Sequence, residues 1–441
     1  MAIEFFGDGG IAKVSRPEVC IISCFDRGQW LAAALAEKDY QVKLVDVSAK
    51  MGRWAPEDWE GPFGLFHLES LSQLQNERIS EEDYFENVDE GLILWLKEGP
   101  LELKGPLTAY GLEKLGLSQA YDILINYQKD GKLEPVLQFI NNNKFKKSWI
   151  IYLAFFLAAN KYDVGQLEMD ESIKPISFSS PYSVRRPTRK GLDKSFQWCE
   201  TKGVQCLREV DIRDVSMNGR ICEGVEVSSS WSGVLKSDYF VWMLTGEETL
   251  RFDEKVISKL FPQGILRSQW SWVRYRLSIP SQEHYATLPL KFVMIDDIFL
   301  PWSHENLCLV QKGVSQGDVD CFVRIPTHHR FQKQYLEQMA EKIRTSFSYR
   351  IPVSGVEITN LPQDYYYNEE ELGPSRFPVY SPNELKNYSH RKFKNLFFSS
   401  PEQWSSQDLS RQLKWQEDVL TKILKIESEK KSPQNQKEVE L

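Results

Sequence analysis

The sequence predicts an α/β protein of two interleaved domains. Three observations point there: a strand–turn–helix–strand unit over residues 19–47, a return to alternating strands and helices over 189–246, and a block of strand-like runs over 266–326. At 441 residues the chain is also too long for one compact core.

Val19-Cys-Ile-Ile22 is a short apolar run after Pro17, the pattern of a strand buried on both faces. Ser23-Cys-Phe-Asp-Arg-Gly28 is a turn, and Trp30–Lys38, rich in Ala and Leu, favours a helix. Gln41-Val-Lys-Leu-Val-Asp46 alternates into a second strand that ends on an acid. Such a βαβ unit is expected to cross over right-handed. Residues 55–190 carry helical periodicity, as in Glu81–Val88 and Leu112–Asn126, broken at Gly99-Pro100 and Gly105-Pro106, and predict a largely helical insertion. Gly191–Lys202 predicts a helix stopped by Gly203. Val204–Val210 is strand-like, Asn218-Gly219 marks a hairpin, Ile221–Val227 returns as a strand, and Tyr239–Leu244 is a buried one. Trp270–Leu277, Leu290–Ile295, Leu307–Val310 and Cys321–Ile325 predict a mainly antiparallel sheet, followed by a helix over Phe331–Thr345. Asn395–Phe398 is a last short strand. Asp408–Ile426 is an amphipathic helix with Leu409, Leu413, Gln416, Leu420 and Leu424 on one face, and the polar tail from Glu427 is expected to be disordered.

Composition is ordinary for a globular protein, with 41% hydrophobic and 26% charged residues. A net charge of −8 with no basic stripe argues against a nucleic-acid partner. The seven cysteines include no CxxC pair, and the acidic N-terminus does not read as a secretory signal. The expectation is a soluble cytoplasmic protein with reduced thiols. The apolar segment 149–159 falls short of the roughly 20 residues a membrane span needs. It reads first as a buried core helix and second as a surface for lipid contact.

The register set by Gly28, the helix around Leu31-Ala-Ala-Ala-Leu35 and the acid Asp46 resembles the N-terminus of FAD-binding flavoproteins of the amine oxidase, phytoene desaturase and UDP-galactopyranose mutase type. Those proteins share the glutathione-reductase-type fold. The resemblance implies a Rossmann-like FAD-binding domain over 17–70, 187–250 and 350–426. It implies an α+β substrate-type domain over 71–186 and 251–349 interleaved with it, and a disordered tail over 427–441. Gly28 matches the third glycine of GxGxxG, and Asp46 matches the acid that binds the adenosine ribose. Lys50-Met-Gly52 is similar to the start of the family's LGGR motif, with Arg53 at its second glycine and Trp54 at its arginine. Arg189-Lys-Gly-Leu192 stands where the family has a Gly-Gly run opening a helix, with Lys190 interrupting it. Val210 corresponds to a valine whose backbone meets the adenine. Arg376-Phe-Pro-Val-Tyr380 resembles the family's RWP-type segment. In Asn395–Glu402, Ser400 stands where the family has a glycine before Glu402. These matches keep their order across roughly 400 residues, which chance motif hits do not.

The departures carry physical meaning. The first glycine of such a loop permits a tight turn, the second lets a pyrophosphate approach the backbone, and the third lets helix and strand pack closely. Ser23 replaces the first and Phe25 the second, while Asp26 puts negative charge where a phosphate would sit at a helix N-terminus. Arg27 reads as a surface residue. Phe25, Trp30 and Trp54 read as core or plug side chains that fill a vacated groove. With Arg53, Lys190 and Ser400 also altered, the expectation is that no cofactor is tightly held, with FAD as the alternative. The function implied is a non-catalytic binding or scaffold protein. The alternative is a divergent FAD-dependent oxidoreductase, with Asp46, Val210 and Glu402 as its cofactor contacts. A third reading is lipid or small-ligand binding without chemistry.

Other candidate chemistry is sparse. Adjacent His328 and His329 point apart, and no metal-ligating spacing exists. Asp296-Asp297 reads as a strand-end turn. Arg185-Arg186 with Arg189-Lys190 is a solvated loop or an anion site, and Tyr365-Tyr-Tyr367 is a lid or a partner contact.

Overall fold

The computed structural model describes residues 16–24, 27–48, 65–66, 85–87, 92–103, 108–130, 132, 134–143, 150, 151, 153, 182–184, 189–268, 270–297, 306–313, 315–351, 355–360, 378–379, 392–400 and 409–430. The N-terminal unit is as the sequence predicts. Strand β1 (Glu18–Ser23) leads through a turn to helix α1 (Gln29–Ala36), which returns to strand β2 (Gln41–Asp46). The two strands pair in parallel from Glu18↔Gln41 to Ser23↔Asp46.

The next segment differs from expectation. The predicted helix over Glu81–Val88 contains a strand instead. Leu65–Phe66 (β3) and Phe85–Asn87 (β4) are strands, as are Leu92–Leu96 (β5) and Gly99–Leu103 (β6), and three helices follow: α2 (Ala109–Lys114), α3 (Ser118–Asp130) and α4 (Glu134–Asn143). Gly116, at φ +73°, separates α2 from α3 where the periodicity suggested one helix. Tyr182–Val184 (β7) pairs with both β3 and β4. These strands are held by distant partners, so local periodicity does not report them.

Helix α5 (Arg189–Thr201) ends as expected at Gly203, whose φ is +85°. Four strands follow it: β8 (Gln205–Leu207), β9 (Asp211–Asn218), β10 (Ile221–Ser228) and β11 (Ser232–Leu235), with Gly219 at φ +61° in the β9–β10 turn. Strand β12 (Tyr239–Trp242) is buried throughout and leads to the short helices α6 (Gly246–Thr249) and α7 (Glu254–Leu260). Then come β13 (Trp270–Ser278), helix α8 (Gln282–Thr287), β14 (Lys291–Ile295), β15 (Leu307–Lys312) and β16 (Asp318–Pro326). Helix α9 (Lys333–Arg350), β17 (Glu357–Asn360), β18 (Pro378–Val379), β19 (Leu396–Phe398) and helix α10 (Leu409–Lys430) complete the chain.

Five strands form a parallel sheet in the order β19-β12-β1-β2-β8. One face packs against α1, α5 and α10 through Leu31, Leu35, Phe196, Val419 and Ile423. The other is covered by the antiparallel β9–β11 layer and by α7 through Val225, Val256 and Leu260. A larger sheet, β17-β13-β16-β15-β14-β5-β6 with β18 beside β13, is mainly antiparallel. It packs on α9 through Leu336, Ile343 and Phe347. Some segments cross the boundaries drawn from the sequence. Val256 and Leu260, placed with the second domain, belong to the core of the parallel sheet, while β17 and β18, placed with the first, pair with β13. The tail also differs: α10 runs to Lys430, and Glu427 accepts a hydrogen bond from the Tyr239 hydroxyl.

Candidate functional site

In a parallel sheet, ligands bind outside the carboxyl ends of the strands, where the strand order reverses. Here the chain leaves β1 through α1 to β2 on one side, and returns much later as β12 on the other. The reversal therefore lies between the carboxyl ends of β1 and β12.

Four of the residues singled out in the sequence gather at this end. Ser23 closes β1 and stands in register with Asp46 at the end of β2. Gly28 caps α1. A Cβ at Gly28 would lie 2.8 Å from Leu44 Cδ1 and 3.0 Å from Ser23 Cβ, so the close approach of helix and strand requires glycine there. The Val210 amide donates to the Asp46 carbonyl at 3.1 Å, tying the start of β9 to the end of β2. Ser400 is separate from these four. It follows β19, two strands from β1 across β12, and is fully buried next to Ser399, whose amide donates to the Trp242 carbonyl at 2.9 Å. Phe25, Gly52, Arg53 and Glu402 lie outside the described residues, as do Asp26, Trp54, Tyr365–Tyr367 and the Arg376–Tyr380 segment apart from Pro378 and Val379.

Two amides at the start of α1 are bonded to the protein's own side chains. The Gly28 amide donates to Gln29 Oε1 at 3.0 Å, and the Leu31 amide in the first turn of α1 donates to Gln416 Oε1 of α10 at 3.1 Å. Asp46 Oδ1 accepts from the Ser48 amide at 3.1 Å and from the Ser48 hydroxyl. Ser23 Oγ is buried and makes no hydrogen bond.

Arg27 corrects the surface reading. It is 5% exposed, and its two terminal nitrogens donate to Glu248 at 2.6 and 2.8 Å. Glu248 lies in α6, just beyond β12, so this ion pair bridges the reversal of strand order. Its carboxylate also receives the Thr245 amide at 2.8 Å, and Thr245 Oγ1 in turn receives the Glu248 amide at 3.0 Å. This reciprocal capping box holds the same carboxylate that Arg27 meets. Bidentate, charge-assisted pairs of this kind are among the stronger polar contacts. Beside it, Glu247 accepts from the Ser268 amide at 2.6 Å, linking this corner to the approach to β13.

Trp30 packs partly buried against the core on the helical face of the parallel sheet, in line with the core half of its reading. His328 and His329 lie in a single 3-10 turn (Thr327–Phe331) with ring centroids 4.2 Å apart, and the described residues contain no metal-ligating cluster. Asp296 receives Arg350 and Ser346, at 3.1 and 2.7 Å, as a strand-end anchor. Ile150, Ile151 and Leu153 of the apolar segment are buried, and no described helix is long and apolar enough to cross a membrane.

Glu248, Gln29 and Gln416 were not singled out as site residues from the sequence. Thr245-Gly-Glu-Glu248 carries the spacing of a capping box, and Gln416 is the polar residue on an otherwise apolar helix face, so both left a local signal.

No protein-family model matches the sequence, and no curated protein matches it. Solved structures do match. An oxidoreductase from Methanosarcina mazei is 11% identical over 89% of this chain and 98% of its own, with a TM-score of 0.54. A geranylgeranyl bacteriochlorophyll reductase-like protein from Thermoplasma acidophilum is 10% identical over 96% of this chain and 82% of its own, with a TM-score of 0.52. A putrescine oxidase is 11% identical over 92% of this chain and 99% of its own, also at 0.52. The chain shares the overall fold of these solved structures, at 10–11% sequence identity.

Proposed function

We propose that this flavoprotein-fold protein acts as a binding or scaffold protein and does not hold FAD tightly. One observation carries the reading: the Arg27 guanidinium and the Gly28 and Leu31 amides, at the start of α1, are engaged by the chain itself. Gly28 and Leu31 donate to glutamine side chains, and Arg27 is committed to Glu248. A pyrophosphate at the amino terminus of α1 would have to displace these neutral caps. The ribose end is better preserved, since Asp46 keeps a carboxylate at the end of β2.

A second reading is a divergent FAD-dependent oxidoreductase. It is favoured by the similar solved structures, which are an oxidoreductase, a reductase-like protein and an oxidase. In such a protein the flavin supplies the hydride chemistry, and the chain would contribute Asp46 at the ribose and the Val210 backbone beside the adenine. The visible absorbance spectrum of the purified protein separates the two. The first reading expects no flavin band and no thermal shift on adding FAD. A stoichiometric flavin band would refute it and turn attention to substrates.

A further inference from the structure

We propose that Gln416 is the chain's own occupant of the α1 amino terminus, an intramolecular contact that shuts adenine dinucleotides out of the groove. The inference rests on the reading above that FAD is not tightly held. Helix α10 is fixed beside α1 by the fully buried Val419 and Ile423, and farther along by Glu427 and Lys430, which meet the Tyr239 hydroxyl. Gln416 is therefore delivered to one place. It is 1% exposed on an apolar helix face, where an amide is costly unless bonded, and its Oε1 takes the Leu31 amide at 3.1 Å.

Two features show that this cap stands where an anion would be favoured. A glutamine is neutral, so it satisfies an N–H group without compensating the positive end of the helix dipole. Ser23 Oγ, 2% exposed, makes no hydrogen bond and would lie 3.1 Å from a Cβ at Gly28. A buried hydroxyl at the mouth of the turn is a donor held in reserve beside that helix end. Removing the glutamine carbonyl frees the Leu31 amide, while the Ser23 hydroxyl remains unbonded beside Gly28 and Asp46 stands in register with Ser23.

The test compares the full chain with its Gln416→Ala variant, using ADP as the probe in calorimetric titration and thermal unfolding. The proposal expects no measurable ADP binding by the parent protein. The variant should bind ADP at least tenfold more tightly and gain melting temperature with it. A folded variant whose ADP response equals the parent's would overturn the proposal while leaving the flavin-free reading intact. A parent protein that carries stoichiometric FAD on purification would instead remove the reading beneath it. A second measurement does not depend on the variant folding: amide hydrogen exchange across residues 28–32 of the parent with millimolar ADP. The proposal expects unchanged protection there, and added protection would show that the groove is already open.

Discussion

At the scale of single residues, Gly28 sets the close approach of helix and strand, and Arg27 ties the start of α1 to α6. Gly28→Ala is expected to cost about 1–3 kcal/mol, because the new methyl meets Leu44 and Ser23 inside van der Waals distance. Urea denaturation of parent and variant checks it. Arg27→Met leaves the Glu248 carboxylate buried without its cation and is expected to cost about 3–5 kcal/mol. Combining it with Glu248→Leu should recover part of that loss, which a double-mutant cycle of unfolding free energies measures. The glycine was legible through the family resemblance, which matched Gly28 to the glycine that lets helix and strand pack closely. The arginine was not. Its partner lies 221 residues away and faces it only once β1 and β12 are neighbours, so nothing local distinguishes Arg27 from a solvated turn residue.

At the scale of elements, patterns that depend on sequence neighbours were readable and patterns that depend on distant partners were not. The Asn218-Gly219 turn and the Gly203 stop are local backbone requirements, and both stand as expected. The β5–β6 hairpin lies in a region read as helical. Leu92-Ile-Leu-Trp-Leu96 is an apolar run too short to separate helix from strand, and β14, some 200 residues on, decides the matter. Helix α10 was placed correctly but ended too early. Its polar last turn is held by Tyr239, which bonds Glu427 and receives Lys430 at 2.8 Å. Tyr239→Phe is therefore expected to fray that turn, raising amide exchange over residues 424–430, and to lower stability by about 1 kcal/mol.

At the scale of the whole molecule, the buried thiols set how stability responds to alkali. Burial is the leading cause that pushes Cys20, fully enclosed in β1, from its ordinary 9.0 up to about 12, and burial also raises Cys222 and Tyr239. The folded state therefore keeps these protons after the unfolded chain has lost them. The stabilisation is complete below about pH 9 and is lost as pH rises towards 12. Cys20 contributes to that loss because its thiol cannot ionise while it stays enclosed in β1. Denaturation midpoints at pH 8.5 and 10.5, with reductant present, should fall steeply for the parent protein and less steeply for Cys20→Ala. The parallel sheet also sets a timetable for synthesis. Strand β1 pairs with β12, and β12 with β19, so the sheet draws on residues from Glu18 to Phe398. At ribosomal speeds of about 5–20 residues per second, β1 waits roughly 10–45 s for its inner neighbour to emerge. During that interval an apolar strand is left with an open edge on a growing polypeptide, which makes β1 the natural place for a chaperone to hold.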